Sequence, residues 1–376
     1  MNAAEILQDL LSPAGRADPF PLYAAAHRLG PLLPVTDDIL LAVGYAAVND
    51  VLRKPAFEIP AEPSSRPSLD LMQRSILRAN PPDHGRMRSL ISQVFTPRRV
   101  AELRPAVEAA VDGLLDGLPD EVDFMDRFAF QLPVSVICEL LGVPPGDRHR
   151  FRPLASDLTA ALELTDTADD AADAAAAELG AYFAGLIQDP PPDGLLAALV
   201  AARERLSDEE LLANLILLLV AGFETTTDLL GNGLALHFQH PELPIDAAYV
   251  EEVLRYDSPV QVTTRVARAD TEIAGTPVPA GSNVVLLLGA ANRDPERFPD
   301  PDRFDPRRPG NKPLSFGAGA HICLGNTLAR LEAAVALPRL LERYPAISAA
   351  QPPTRRDRLV LRGYRNLPVQ LREITR

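Results

Sequence analysis

Between Ser207 and His240 the sequence commits to one long helix, and no other feature constrains the fold as much. Ser207-Asp-Glu-Glu210 is a capping-box pattern, in which the N-cap hydroxyl and the Glu side chain each take one orphan amide, and His240-Pro241 supplies the stop. Apolar residues occupy every face before Ala221, so the helix is expected to run through a core. In its middle, LLLVAGFETTTDLLGNG then places Gly222, Glu224, Thr225, Thr226, Thr227 and Asp228 in consecutive turns. A glycine inside a helix costs about 1 kcal/mol relative to alanine, and a buried carboxylate costs more, so something polar is expected to happen at mid-helix.

Helical periodicity continues elsewhere, over 100–118, 128–141, 149–164, 171–188, 194–203, 247–256 and 324–344, each with apolar residues at three and four spacing. The alanine-rich stretch from Asp166, DTADDAADAAAAELGAYF, reads as a surface helix with aspartates at its N-terminus. Strands are expected to be short, at 32–43, 260–273, 283–288 and 359–371. The fold class is therefore mainly α with small β-sheets. A chain of 376 residues with 47% hydrophobic residues has ample material for a core. No segment is expected to span a bilayer, the N-terminus does not resemble a targeting peptide, and the location is read as cytoplasmic. A net charge of -14 without a basic stripe excludes nucleic acid as the partner. Two cysteines at unrelated positions exclude a disulfide framework and a zinc-finger spacing.

Cys138, in QLPVSVICELLGVP, reads as a core cysteine. Cys323 is different, since FGAGAHICLGNTLARLE sets it between a glycine-studded turn and a helix start. A thiolate in the first turn of a helix is stabilised by the free N–H groups there, which suits a nucleophile or a metal ligand. On the cysteine alone, a buried structural thiol is the commoner reading. Glu252-Val-Leu-Arg255 puts opposite charges at i and i+3, a spacing that by itself means only an ion pair. Threonines inside helices usually bond back to their own backbone. His84 and Arg88 of NPPDHGRMR share a helix face, and His237 with His240 is an unpromising metal pair.

Taken in order along the chain, these segments resemble the soluble bacterial cytochromes P-450, haem-thiolate monooxygenases. Phe316-Gly-Ala-Gly-Ala-His-Ile-Cys-Leu-Gly325 is similar to that family's haem-binding loop, Ala221-Gly-Phe-Glu-Thr-Thr226 to its oxygen-binding central helix, and Glu252 to Arg255 to its ExxR helix. NPPDHGRMR, LRYDSPVQVTTRVA, GAANRDPERFPDPDRFDP and RGYRNLPVQL extend the resemblance over nearly the whole chain, 1–376, implying a single catalytic domain of that fold. One departure stands out, because LPIDAAY replaces a longer helical segment before the ExxR helix.

The resemblance implies a haem b (iron protoporphyrin IX) ligated by Cys323, with Phe316 shielding its face and Gly317, Gly319 and Gly325 admitting N–H groups towards the sulfur. His321, His84, Arg88 and Arg265 match positions that pair with the haem propionates. Ala221 and Gly222 are small enough for the helix to pass close over the iron, with a local bulge at the glycine. Thr225 is implied to hydrogen-bond dioxygen and Glu224 to bring protons in. Glu252, Arg255 and Arg303 are implied to form a structural charge triad. The substrate pocket is expected along 57–78, at Leu217 and the residues up to Ala221, at Val260, Val262 and Thr263, and at Val360 and Leu361. Aliphatic lining suggests a small lipophilic substrate, hydroxylated or epoxidised in secondary metabolism. Electrons are expected from a separate ferredoxin or flavodoxin with its reductase, docking near Arg98, Arg99, Lys312 and Arg330. The alternatives are a peroxide-driven haem-thiolate peroxygenase and a haem-binding scaffold or sensor without turnover. A cysteine hydrolase lacks a base, since His321 lies on the same loop.

Overall fold

Capping decides where the helices begin. In the first, Ala3–Leu10, Asn2 Oδ1 accepts from the Glu5 amide at 3.0 Å and Glu5 Oε2 accepts from the Asn2 amide at 2.8 Å. The same device starts the long helix as the sequence predicts, with Glu210 N donating to Ser207 Oγ at 3.1 Å and Ser207 N to Glu210 Oε2 at 2.9 Å. The computed structural model describes residues 1–61, 65–93, 95–163, 170–191, 194–202 and 205–372. Residues 164–169 and 203, at the ends of three expected helices, and 62–64 of the expected pocket segment lie outside that description.

The chain groups into two compact units, each built from three stretches. The first comprises Met1–Pro60, Asp228–Asn326 and Pro352–Leu367, and the second Ala61–Thr227, Thr327–Gln351 and Pro368–Arg376. In the first unit a five-stranded sheet runs in the order Leu32–Pro34, Ile39–Ala42, Asn283–Leu287, Val262–Ala267, Phe57–Glu58, with only the pairing of Ile39–Ala42 and Asn283–Leu287 parallel. Side chains alternate across it. Val284 and Leu286 point into a cluster with Val51, Ile273 and Leu314, while Leu287 and Val262 point into another with Ile6, Leu10, Tyr23 and Leu41.

The second unit is helical around Arg104–Leu115, Gln131–Leu141, Phe151–Leu158 and Asp170–Gln188, with a three-stranded sheet ordered Glu121–Asp123, Pro368–Gln370, Ser348–Ala349. Ion pairs join its elements across sequence. Arg86 donates to Glu210 Oε1 at 2.6 Å, and Asp173 accepts from both the amide (3.0 Å) and hydroxyl (2.6 Å) of Ser68 while pairing with Arg66 at 2.9 Å.

The long helix, Asp208–Gln239, is α-helical throughout, so the bulge expected at Gly222 is absent. By length and composition it is the one described helix that passes as a membrane span, contrary to expectation, but 67% of its apolar window is buried inside the structure, as befits a core helix. Helix 100–118 is two helices, Pro97–Glu102 and Arg104–Leu115. The expected strands 32–43, 260–273 and 359–371 are each two strands, and those of the second and third belong to different sheets. The four N-terminal helices and those at Pro67–Gln73 and Asp83–Ile91 are short and are not among the expected elements, although Asn2 and Glu5 offer a capping box ahead of the first and Ala47, Val48, Val51 and Leu52 form one apolar face of the fourth.

Candidate active site

In the first unit, the glycines of the cysteine loop are required by backbone conformation. Gly317 and Gly319 have φ of 68° and 69°, in the left-handed region that favours glycine. A Cβ at Gly319 would also lie 2.3 Å from the carbonyl oxygen of Leu52, so the loop presses against the helix Tyr45–Arg53 where no side chain fits. Gly325 has a different status. A Cβ there would sit 4.0 Å from Cys323 Sγ, an ordinary contact, so crowding at sulfur does not explain it. Buried Ala318 anchors the loop in the core, a 3₁₀ turn spans Gly319–His321, and Cys323 N donates to Phe316 O at 2.9 Å. Cys323 emerges exposed, three residues before the helix Asn326–Arg343 instead of within its first turn. Phe316 and His321 are half-buried beside it.

The segment leading to this loop hangs on a buried charge cluster. Glu252 and Arg255 are fully buried on the helix Ala247–Tyr256, and their bidentate pair measures 2.7 and 2.8 Å. Arg255 further donates to the carbonyls of Asn292 (3.0 Å), Pro301 (2.9 Å) and Arg303 (3.2 Å), while Glu252 accepts from the amide of Asp305 (2.8 Å) and from Asn311 Nδ2 (3.0 Å). Full satisfaction is what makes buried charge tolerable. The expected third member is corrected by the structure. The Arg303 side chain is exposed and only its backbone takes part, whereas buried Arg308 places Nε 3.6 Å from Glu252 Oε1. PDRFDPRRPG offers three arginines, and spacing alone could not choose among them. The shortened stretch before this helix resolves into residues 240–246 without helix, ending in Asp246, whose Oδ1 caps the helix by accepting from the Tyr249 amide at 3.0 Å.

In the second unit, the mid-helix polar residues do not share one environment. Glu224, Thr226 and Thr227 are buried, Thr225 and Gly222 are half-buried, and Ala221 is exposed. Thr225 Oγ1 donates back to Ala221 O at 3.3 Å, a long and readily exchanged bond. Gly222 has a packing reason that the sequence did not reveal, since a Cβ there would meet Ile137 Cγ1 at 2.9 Å. Phe223 packs edge-on against Phe130 with ring centroids 5.1 Å apart, fixing this stretch against the neighbouring helices. His84 is buried and Arg88 half-buried one turn apart on Asp83–Ile91.

The expected pocket residues divide. Val260 and Leu361 form a β-bridge, and Gln261 N donates to Val360 O at 2.9 Å, so these two segments of the first unit do meet. Val262 does not belong with them, because the pleat turns its side chain into the core cluster of Ile6, Leu10 and Tyr23 and leaves half-buried Thr263 on the other face. Leu217 is buried in the long helix. Arg265 is buried, with Nη1 donating to Thr264 O at 2.7 Å. Of the basic residues expected at a docking face, Arg98, Arg99 and Lys312 are exposed and Arg330 is half-buried.

The donor set fits a haem. Among the described residues no group of three or more His, Cys, Asp or Glu side chains could hold a bare metal ion. An exposed thiol outside any such group would suit a metal that a macrocycle already carries, with Cys323 as the protein's ligand to it.

Comparison with known proteins points to one family. The cytochrome P-450 family profile matches residues 241–367. The chain is 40% identical to the cytochrome P-450 monooxygenase PikC of Streptomyces venezuelae, over 95% of this chain and 92% of the relative. It is 38% identical to the vitamin D(3) 25-hydroxylase of Pseudonocardia autotrophica, over 96% of each. The ligand-free crystal structure of CYP164A2 from Mycobacterium smegmatis superposes with a TM-score of 0.90 at 39% identity, covering 98% of this chain and all of that one. The chain belongs to the cytochrome P-450 family. It has that family's fold, and it is a haem-dependent monooxygenase.

Proposed function

We propose that this monooxygenase binds haem b through Cys323 and transfers one oxygen atom of dioxygen to a small lipophilic molecule of secondary metabolism, drawing electrons from a separate ferredoxin or flavodoxin. The observation that carries the reading is the exposed Cys323 thiol on a glycine-conformed loop. The whole chain serves as one catalytic domain. A relative named for hydroxylating vitamin D(3) supports the lipophilic substrate class.

Bound there, haem supplies the redox chemistry that activates dioxygen. The chain's residues do the rest. Cys323 provides the thiolate ligand, and Phe316 shields that side. His321, Arg265, His84 and Arg88 supply cationic and N–H groups for carboxylate propionates, the charge-assisted bonding such groups favour. Glu224, buried in the long helix, holds a proton, and Thr225 Oγ1 passes it on after exchanging its weak bond to Ala221 O. Val260, Val360 and Leu361 form part of an aliphatic substrate wall.

The test is the absorption spectrum of the reduced, carbon-monoxide-treated protein. A strongly red-shifted Soret band is expected for the wild type and is lost in Cys323→His. An imidazole-type spectrum in the wild type overturns the ligand assignment. With haem in place, Thr225→Ala is expected to divert electrons to peroxide, and unchanged coupling of electron use to product would refute its role.

A further inference from the structure

The first unit holds a second buried ionic cluster that the reading above does not use. Asp257 of RYDSP is only 4% exposed. Its Oδ1 accepts from Arg362 Nε at 2.8 Å and its Oδ2 from Arg355 Nη2 at 2.6 Å. Asn232 joins the knot, taking Arg355 Nη1 on Oδ1 at 2.8 Å while its Nδ2 donates to the carbonyls of Asp257 (2.9 Å) and Arg362 (3.1 Å), and Arg362 Nη1 donates to the carbonyls of Arg16 (3.2 Å) and Ala17 (3.0 Å). Burial pushes the Asp257 carboxyl up, but the two guanidiniums outweigh it and hold the group below the ordinary carboxylate range.

The two arginines flank one loop. Thr354–Arg355 pairs antiparallel with Tyr364–Asn366, and the turn between them carries Val360 and Leu361. That turn reaches its neighbour through one bridge, Val260 to Leu361, and two backbone bonds, Gln261 N to Val360 O at 2.9 Å and Arg362 N to Pro259 O at 2.7 Å. The hairpin has a register shift between Thr354 and Arg355, so the register of the turn against Pro259–Gln261 depends on what holds its two ends. A slip of one residue would exchange the positions of Val360 and Leu361. Apolar packing could stabilise the loop equally well, but directional ion pairs fix which residue faces which.

We propose that Asp257 is a positioning residue for substrate specificity: by holding Arg355 and Arg362 on either side of the 356–361 turn, it sets Val360 and Leu361 in register against Val260. The assignment rests on the substrate-wall role given to those three aliphatic residues under Proposed function. Asp257 itself acts through the two arginines it pairs with.

The experiment compares holoenzyme Asp257→Asn, with Arg362→Lys as a milder second variant, against the wild type. The first readout is backbone hydrogen exchange at Gln261 and Arg362, which needs no haem. Exchange at both amides is expected to rise in the variants, and unchanged exchange in both variants overturns the clamp. The second is the dissociation constant, from the Soret shift, of imidazole and of a homologous series of n-alkylimidazoles. Imidazole, too short to reach the wall, is expected to bind within about twofold of wild type, while the best long-chain member loses about tenfold, the worth of one or two methylene contacts. An unaltered chain-length profile alongside faster exchange overturns the specificity role, as does a uniform loss that includes imidazole. If the wild type shows no thiolate carbonyl band, the haem reading fails, and the exchange data still decide whether Asp257 fixes the bridge.

Discussion

At the scale of single residues, Glu252 and Glu332 show two ways in which a carboxyl is buried. Glu252 is met by Arg255, Arg308, Asn311 and the Asp305 amide, and this crowd of partners is the reason it can be buried at all. The correction from Arg303 to Arg308 is testable. Arg308→Ala is expected to cost about 3 kcal/mol in denaturant unfolding, the range for breaking a buried pair, and Arg303→Ala, on the surface, less than about 0.5 kcal/mol. Glu332, on the helix that follows the cysteine, behaves differently. It is 1% exposed, no described group is hydrogen-bonded to its Oε2, and burial pushes its pKa well above the ordinary carboxylate value. Below the unfolded-state pKa both folded and unfolded chains carry the proton, so the burial is then free of an ionic penalty. As pH rises, the unfolded chain ionises first and stability falls until the folded pKa is passed. Glu332→Gln, which has the shape of the protonated acid, is expected to match wild type near pH 4 and to exceed it in stability at pH 7. Equal pH dependence in unfolding titrations of the two proteins would refute the neutral assignment.

At the scale of elements, legibility followed repetition. The long helix could be read to within a few residues because its cap, its apolar faces and its Pro stop all agree. The same is true of Ala247–Tyr256. Hairpins were merged, since strands of three or four residues leave too few positions for a period to show, and the N-terminal helices of 5 to 10 residues were missed because one to three turns give a 3.6 period little room to repeat. Gly222 illustrates the limit from the other side. Its position beside Glu224 invites a functional reading, yet the close approach of Ile137 at 2.9 Å is a sufficient reason for glycine there. Helix propensity favours Gly222→Ala by about 1 kcal/mol, and overpacking opposes it by about 1–3 kcal/mol. The substitution is therefore expected to destabilise the wild type but to stabilise an Ile137→Ala background. A double-mutant cycle on unfolding free energies shows the sign change, and additive effects would remove Ile137 as the cause.

At the scale of the whole molecule, the chain weaves between its two units, so neither is a continuous stretch. The strand Glu121–Asp123 of the second unit finds its partner in Pro368–Gln370, which in turn pairs with Ser348–Ala349. Residues 61–227 expressed alone lack both partners and the helix Asn326–Arg343, with the apolar surface those would cover. Such a fragment is expected to show no cooperative thermal transition by circular dichroism, and a sharp one would mean that the unit folds without its later segments.

The sequence by itself determined the family's motifs and their order: the thiol on its glycine loop, the polar patch within an apolar helix, and the Glu-Arg pair one turn apart. These are local patterns, because each depends on residues that sit within a few positions of one another. Only the tertiary structure decided that Arg308 and not Arg303 joins Glu252, that Val262 turns into the core, and that Asp257 grips two arginines some hundred residues downstream. Each of those outcomes depends on the direction of the backbone and on contacts between segments far apart in the chain, which local spacing cannot supply.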